Sequence, residues 1–562
     1  MNILIGGAAG QGMETIAQLL GKAFVRTGFG VLSAKDYMSR VRGGHNFTRL
    51  RIETKTPGTA DGPVDILIAL NEEAYKIHSA NLATNGRIIY DPEEFSPENK
   101  DKSQVPVQLQ KIAKEAGNKI MANTVAVGAT LALMGLQTTE AEELLKEAFA
   151  KELAGKNILA LNAGYKVAAK QCEACFTLPE KQGAGKRIFM DGNSILGMAS
   201  LASGCRFLSA YPMTPATGIM NYLAGKQDSH DVVVEQAEDE IAAINMALGA
   251  SFTGARAMTC TSGGGFALMV EGLSLAGMTE TPLVIALAMR PGPATGLPTR
   301  TEQGDLEFAL HAGHGEFPRA ILSATHSEDA FYRLNKAFDL AEKYQIPVIF
   351  LSDQDFGDTA RSIPPFDFTK LLYNRHLVDE DNLATPYKRY RYSENGISPR
   401  ALPGQFSGQT VLADSDEHDE NGNIIEDAAT RNQMMEKRLK KVALLAAEMD
   451  EPQITGEKTG DILLIGWGST YGALQEAQQI LSAEGQQITH LHFADLWPLR
   501  TALVSSLFPR FARTICVENN ATGQLAALLR REAGLKVDQK ILKYDGRPFM
   551  PTDIVKEVQK NV

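Results

Sequence analysis

The sequence predicts an α/β protein of several domains built on mainly parallel sheets. Three observations carry that expectation. The chain has 562 residues, room for about three or four domains, each with its own core. Apolar runs at 64–70, 283–288 and 347–351 alternate with helical patterns, as strands buried on both faces do. Several runs end in glycine- or proline-rich turns, and in open α/β sheets ligands sit at the carboxyl ends of strands.

Bulk composition narrows the class. Hydrophobic residues make up 44% and charged residues 22%, as in ordinary globular proteins. The net charge of −11 gives no electrostatic basis for nucleic-acid binding. No apolar run reaches the 18 residues of a membrane span, and Met1 leads almost directly into a strand, so a cytoplasmic protein is expected. The five cysteines are scattered, which does not look like a disulfide framework. Cys172 and Cys175 form a CxxC without a second pair, so no metal site is expected; two thiols at a helix end is the plainer reading, a redox role the other.

The first unit is expected over 1–180. A strand at 3–5 runs into Gly6-Gly7-Ala8-Ala9-Gly10-Gln11-Gly12, and a helix follows from 15 to 24. Such a turn, with Gly10 and Gly12, lets backbone N–H groups approach phosphate. The spacing is not GxGxxG and no acid closes a following strand, so nicotinamide dinucleotides are not expected. Further strands are expected at 64–70 and 87–90, and helices around 123–135 and 138–153. Between the first helix and the strand at 64–70, 40–51 holds Arg40, Arg42, Arg49, Arg51 and His45 around two glycines. The arginines either grip a polyanionic tail or belong to a solvated turn and edge strand. A polar, glycine-rich linker covers 180–186.

The second unit is expected over 187–361, with strands at 206–211, 231–234, 257–261, 283–288 and 347–351. The first strand stops at Tyr211-Pro212-Met213-Thr214-Pro215, which holds the Thr214 hydroxyl at a strand's carboxyl end. Glu235, Glu238, Asp239 and Glu240 precede Ile241, Ile244 and Leu248 at helical spacing. Acids there complement a helix dipole, which is the bland reading of all four. Thr261-Ser262-Gly263-Gly264-Gly265 is another strand-to-helix turn. Residues 289–301, rich in Pro and Gly, form a stiff irregular loop straight after a strand, of the kind that carries function. An excursion is expected over 362–458: 414–427 has seven acids and no Lys or Arg, a solvated loop, and 431–449 reads as one amphipathic helix. A third unit over 459–562 has strands at 461–466, 488–493, 513–517 and 541–544.

Here the motifs resemble a known family. Tyr-Pro-Met-Thr-Pro resembles the Tyr-Pro-Ile-Thr-Pro motif of 2-oxoacid:ferredoxin oxidoreductases, with Met213 for the usual Ile. The turn 261–265, the loop 290–301, Val517-Glu518-Asn519-Asn520 and Lys543-Tyr544-Asp545-Gly546-Arg547-Pro548 look like that family in the same order. The resemblance covers nearly the whole chain and implies a fused gamma–alpha subunit of the 2-oxoglutarate type. It divides the fold into a gamma-type α/β domain, a thiamine diphosphate pyrimidine-binding domain and a transketolase C-terminal-like domain.

The resemblance also implies a site. Glu240 matches the carboxylate that hydrogen-bonds the aminopyrimidine ring and promotes loss of the C2 proton; Glu238 and Glu235 are its fallbacks. Tyr211, Pro212, Gly263 and Gly264 are expected at the cofactor. Arg290, Thr299 and Thr214 match substrate-binding positions, since an anionic 2-oxoacid needs donors. A surface ion pair for Arg290, with Arg300 as its substitute, and a turn-stabilising hydroxyl for Thr214 are the plainer alternatives. His314 is read as structural. Gly10, Gly12, Arg40 and Arg42 are possible coenzyme A contacts.

No Gly-Asp-Gly motif for diphosphate and Mg²⁺ occurs, nor cysteines spaced for a [4Fe–4S] cluster. The resemblance therefore implies a beta subunit carrying both, ferredoxin as electron acceptor, coenzyme A as co-substrate and a dimer of alpha–beta heterodimers. The rival readings are a transketolase-type carboligase and a non-catalytic nucleotide-binding regulatory subunit.

Overall fold

The computed structural model describes residues 1–39, 43–97, 101–181, 185–381 and 383–560. The chain divides into two compact units, Met1–Asp191 with Asp358–Pro365, and Gly192–Gly357 with Phe366–Val562.

The first unit is built on an eight-stranded sheet. From edge to edge its strands are Gln104–Pro106, Leu82–Tyr90, Val64–Ala69, Asn2–Ala9, Gly43–Glu53, Gly30–Asp36, Ala360–Ile363 and Ile188–Asp191. Asn2–Ala9 runs parallel to Val64–Ala69, which is parallel to Leu82–Tyr90. Ile3, Ile5, Leu50, Ile66 and Ile68 are fully buried; each such side chain contributes roughly 1.5–3 kcal/mol on removal from water. The helices Ala122–Met134 and Lys151–Ala169 cross closely, because a Cβ on Gly128 would lie 1.9 Å from the Leu161 carbonyl oxygen and one on Gly164 2.2 Å from that of Val125.

Several sequence expectations are corrected in this unit. Gly43–Glu53 is no edge strand: it lies between two antiparallel neighbours, inside the sheet. Arg49 donates to the carbonyl of Ala60 at 2.7 Å and Arg51 to that of Thr59 at 3.0 Å, so both hold a nearby loop. Arg40 and Arg42 lie outside the described residues. Cys172 and Cys175 are not two thiols but form a disulfide just after the helix Lys151–Ala169. The strands Ile188–Asp191 and Ala360–Ile363, which the sequence did not reveal and whose residues lie at or near the two ends of the expected second unit, pair with each other at the margin of the first unit's sheet. The chain leaves this unit after Asp191 and re-enters it at Asp358.

In the second unit a seven-stranded sheet has the order Asp495–Trp497, Ala320–Ser323, Pro347–Asp353, Leu283–Met289, Arg256–Thr261, Cys205–Ala210 and Val233–Gln236. All are parallel except Asp495–Trp497, which runs antiparallel to its neighbour. A five-stranded sheet follows: Gln453–Thr455, Ile488–Phe493, Gly460–Trp467, Phe511–Glu518 and Gln539–Leu542. One core runs through both sheets and joins Ile285, Leu287 and Ile321 to Leu463, Trp467 and Phe493.

Two further differences from the sequence reading have an electrostatic or packing cause. Within the acidic stretch, Glu417 accepts from Arg438 at 2.7 Å and also pairs with Arg431, while His418 is fully buried with its ring 4.0 Å from that of Tyr390. The stretch is therefore anchored through cations of the helix Ala428–Glu448, not simply solvated. Ile241 is 51% exposed, whereas Ile244 and Leu248 are buried. No helix among the described residues is long and apolar enough to cross a membrane.

Candidate active site

The order of the parallel strands determines the site. Cys205–Ala210, Arg256–Thr261 and Leu283–Met289 are neighbours pointing the same way. Their carboxyl ends bring together three segments distant in sequence: the turn 211–217, the turn 261–265 and the loop that begins at Arg290. Val233–Gln236, beside Cys205–Ala210, feeds the helix Glu240–Phe252 into the same rim.

Asp239 caps that helix, its Oδ1 accepting from the Ala242 amide at 2.7 Å. With the cap satisfied by Asp239, Glu240 is left for another purpose. It is 3% exposed, and its Oε1 is buried without a hydrogen-bond partner among the described residues. Glu235 and Glu238 are exposed. A buried acceptor left without a donor costs about 1–3 kcal/mol, so such an atom needs an explanation.

The triple glycine supplies the room around it. A Cβ on Gly265 would lie 2.1 Å from Thr261 Oγ1 and 2.5 Å from Glu240 Oε1. Gly264 is open, with nothing nearer to its Cβ position than the Ala294 carbonyl oxygen at 3.6 Å. A Cβ on Gly263 would meet Asp305 Oδ2 at 2.6 Å. On the other side, the Thr261 hydroxyl donates to the Met213 sulfur at 3.9 Å. The residue that departs from the family motif thus packs against the turn that flanks Glu240.

Arg290 donates from Nη1 to the Thr214 carbonyl at 2.6 Å. That contact ties the loop to the Tyr-Pro-Met-Thr-Pro turn and uses one of five guanidinium N–H groups. Burial lowers the Arg290 pKa, and Asp305 opposes the shift. Thr299 is buried and Thr214 half-buried; Tyr211 is 41% exposed and Pro212 half-buried.

The loop after Arg290 is braced from the C-terminal part of the unit. The Thr301 amide donates to the Gly546 carbonyl at 3.3 Å, and the Gln303 amide to the Asn519 carbonyl at 2.7 Å. Gln303 Nε2 donates to the Trp467 carbonyl at 2.7 Å. The motifs around 517–520 and 543–548 therefore act as buttresses. Gln303 and Asp305 are the residues that sequence reasoning missed; their only local signal is a polar stretch, Thr301-Glu302-Gln303-Gly304-Asp305, straight after the stiff loop. Gly265 stands in the turn 261–265, without a role of its own in the sequence reading.

In the first unit, Gly10 (φ +90°) has nothing within 4 Å of its Cβ position, while a Cβ on Gly12 (φ +81°) would stand 1.8 Å from Asn123 Nδ2. Both lie where Asn2–Ala9 meets the helix Met13–Thr27. A cleft of about 650 Å³ opens there, lined among others by Gly10, Gln11, Leu70, Asp91 and Lys114.

A buried carboxylate, a bare glycine turn and an arginine thus lie on one rim of the sheet, an arrangement chemically suited to a heteroaromatic ring and an anion. The comparisons with known proteins identify the family. Residues 198–437 match the family model for the thiamine-diphosphate-binding part of pyruvate flavodoxin/ferredoxin oxidoreductase, and residues 2–167 match the model for pyruvate ferredoxin/flavodoxin oxidoreductase. The alpha subunit of a 2-oxoacid:ferredoxin oxidoreductase from a Sulfolobus species is 34% identical, over 98% of this chain and 95% of that protein. The 2-oxoglutarate oxidoreductase subunit KorA of Mycobacterium tuberculosis is 29% identical, over 98% of this chain and 90% of its own length. The structure of the 2-oxoglutarate:ferredoxin oxidoreductase of Magnetococcus marinus, solved with 2-oxoglutarate, coenzyme A and succinyl-CoA bound, superposes with a TM-score of 0.92 at 32% identity, covering 100% of this chain and 99% of that one.

The class defined by this fold and site is that of multi-domain α/β oxidoreductase subunits with a thiamine-diphosphate-binding domain. The chain belongs to the 2-oxoacid:ferredoxin oxidoreductase family, as an alpha-type subunit. Neither the carboligase nor the regulatory-subunit reading is favoured by these relatives.

Proposed function

We propose that this chain supplies the acidic and substrate-holding half of an active site for oxidative decarboxylation of 2-oxoglutarate, completed by a beta subunit. The observation that carries the reading is the orphaned Oε1 of Glu240 beside the bare Gly264–Gly265 backbone. That pair fits an aminopyrimidine ring: the flat ring needs a glycine cradle, and its nitrogen satisfies the carboxylate. Thiamine diphosphate supplies the carbon nucleophile for decarboxylation. Glu240 Oε1 is the atom that would hydrogen-bond the ring nitrogen of the bound coenzyme. Tyr211, Pro212, Gly263 and Gly264 shape the cofactor's surroundings, and the spare N–H groups of Arg290 hold the substrate carboxylate, with Thr214 and Thr299 as hydroxyl donors.

The diphosphate-and-Mg²⁺ motif and the [4Fe–4S] ligands belong to the beta subunit, because this chain's sequence has neither. Apolar side chains left open on the site-building segments support that docking: Ile241 and Leu268 are each 51% exposed and Leu297 is 48% exposed. Ferredoxin takes the electrons. Coenzyme A accepts the acyl group, with its phosphates at the Gly10–Gly12 turn; the open glycine and the adjoining cleft support that position. Arg40 and Arg42 complete that reading. The choice of 2-oxoglutarate rests on the bound ligand of the Magnetococcus relative.

The test is Glu240→Gln in the assembled alpha–beta complex. Coenzyme-A-dependent ferredoxin reduction is expected to fall by about 10²–10⁴. Unchanged turnover overturns the assignment.

A further inference from the structure

Three guanidinium groups converge on one buried carboxylate at the amino end of the strand that leads into the triple-glycine turn. Arg256 opens the strand Arg256–Thr261, and its Nε donates to Glu342 Oε2 at 2.8 Å. Arg375 Nε donates to both oxygens of Glu342, at 3.1 and 3.2 Å. Arg400 Nη2 donates to Oε1 at 3.2 Å. Glu342 lies near the end of the helix Ser327–Tyr344, while Arg375 and Arg400 come from the excursion that begins after Pro365. Arg256, Glu342 and Arg400 are 3%, 4% and 5% exposed, whereas the Arg375 side chain is 43% exposed and marks where the cluster meets solvent.

The donors of the cluster are not equally spent. Arg256 Nη1 and Nη2 donate to the Ser203 and Asn374 carbonyls, and Arg375 Nη2 to that of Gly254. Arg389, the next buried arginine, gives Nη1 to Gln345 Oε1 at 2.7 Å and Nη2 to the Glu280 carbonyl at 2.7 Å. Arg400 differs: its Nε and Nη1 are buried and meet no acceptor among the described residues. Nor do the charges balance, because Glu342 is one anion against three cations. Asp339, one turn earlier on the helix, is engaged by His376 at 2.8 Å, and Glu280, beyond Arg389, already holds Lys437 and Lys441. Burial lowers the Arg400 pKa to about 10; Glu342 opposes that fall, and Arg389 and Arg375 add to it. Arg400 is therefore still a cation at neutral pH.

We propose that Arg400, with Arg375 beside it, binds a small inorganic anion, a halide or a phosphate, which completes this cluster. A buried donor without an acceptor and a buried cation without a counter-charge are both costly, and one anion removes both costs. Water satisfies the N–H groups but leaves the charges unbalanced. Arg375 and Arg400 each lie within 3.2 Å of Glu342 Oε1, so their charges act on one small volume. An anion there receives charge-assisted hydrogen bonds from Arg400 and faces solvent through Arg375. It pins the excursion to the helix Ser327–Tyr344 and to the amino end of the strand Arg256–Thr261. The cofactor turn 261–265 is at the other end of that strand, so the effect is on stability and not on the chemistry.

The test uses the full-length chain at constant ionic strength, which holds screening fixed. Sodium gluconate, whose anion is bulky, is exchanged stepwise for sodium bromide in one arm and for sodium phosphate in the other. The thermal midpoint of wild type is compared with that of Arg400→Met, so that general salt effects cancel. The difference is expected to grow in favour of wild type by about 2 °C per tenfold rise in the bound anion, and the arm that shows it names the anion. In gluconate alone Arg400→Met is expected to match or exceed wild type, because an unbalanced cation is gone. A merely structural Arg400 predicts a variant that is less stable by the same margin in all three salts, and that result overturns the proposal. Crystals of the wild-type chain read the site directly, whether or not the variant folds. An anomalous bromide peak, or tetrahedral phosphate density, is expected within hydrogen-bonding distance of Arg400 Nε or Nη1. Water at that place in both salts overturns the proposal.

Discussion

Gln303 and Asn519 hold each other reciprocally: the Gln303 amide donates to the Asn519 carbonyl at 2.7 Å, and the Asn519 amide donates to Gln303 Oε1 at 2.9 Å. Gln303 is fully buried, and its Nε2 reaches the Trp467 carbonyl. Gln303→Leu strands the Asn519 N–H, whereas the Trp467 carbonyl keeps the Thr470 hydroxyl at 2.7 Å. A loss of about 1–3 kcal/mol is therefore expected in the second unit. Urea unfolding read by Trp467 and Trp497, the chain's two tryptophans, measures it. A midpoint equal to that of wild type removes the buttress argument.

The glycine turn allows a contrast between adjacent positions. A methyl at Gly265 falls 2.5 Å from Glu240 Oε1 and must displace it, whereas a methyl at Gly264 meets nothing nearer than 3.6 Å. Gly265→Ala is expected to lower kcat of the assembled enzyme about a hundredfold, since displacement of a reacting group by about 1 Å costs that much. Gly264→Ala is expected to leave urea stability unchanged and to weaken thiamine diphosphate binding. Equal kcat in wild type and Gly265→Ala contradicts the placement of Glu240.

Glu280 is 1% exposed and receives Lys437 on one carboxylate oxygen and Lys441 on the other. This buried triad ties the helix Ala428–Glu448 to the turn that precedes Leu283–Met289. Glu280→Gln leaves two buried ammonium groups without a counter-ion, and breaking such a pair costs about 3–5 kcal/mol. Replacing all three residues by Met is expected to recover most of that loss, because the desolvation of the charges disappears with them. Denaturant midpoints of the single and triple variants decide it.

Acid is expected to destabilise both units through histidines held neutral. In the first unit His45 and His78 share a 2.7 Å hydrogen bond between their Nε2 atoms, and burial, with His45, lowers His78 to about 4. In the second, the Gly468 carbonyl can only accept, so His492 donates to it from Nε2 and accepts at Nδ1 from His490. Burial lowers His490 to about 3. A histidine whose folded pKa lies below its unfolded value takes up protons preferentially when unfolded. Its contribution to stability is full above about pH 6.5 and is lost as pH falls towards the folded pKa, by at most about 1.4 kcal/mol per unit. His78→Gln should flatten the pH dependence of first-unit stability between pH 6.5 and 4. An unchanged slope counts against a neutral His78.

Much of the fold was legible because its signals are local. Short apolar runs bounded by glycine and proline located the strands at 3–5, 64–70 and 87–90 of the first unit's sheet and the central parallel strands of the second unit's, but not Gly30–Asp36, Gln104–Pro106, Ala320–Ser323 or Asp495–Trp497; the cluster of four acids located the helix start at Glu240. The strand Gly43–Glu53 was misjudged because polar residues in it suggested solvent, whereas Arg49 and Arg51 satisfy loop carbonyls from inside the sheet. The acidic stretch misled for a related reason: its cationic partners lie on a helix further along the chain. Ile241 fitted the helical period but is exposed, since periodicity gives the spacing of a face and not its width.

By itself the sequence determined the kinds of element, the turns at strand ends and the acids and arginine available to a 2-oxoacid site. Tertiary structure alone decided which of four acids is buried with an oxygen unpaired among the described residues, that Gly265 opens the space beside it, and that Asp305 lies against Gly263. It also decided that Gln303 is held from 216 residues away. The reason is physical: propensity and periodicity act over a few residues, whereas the neighbours of a buried polar atom are set by the order of strands in a sheet and the packing of whole elements against it.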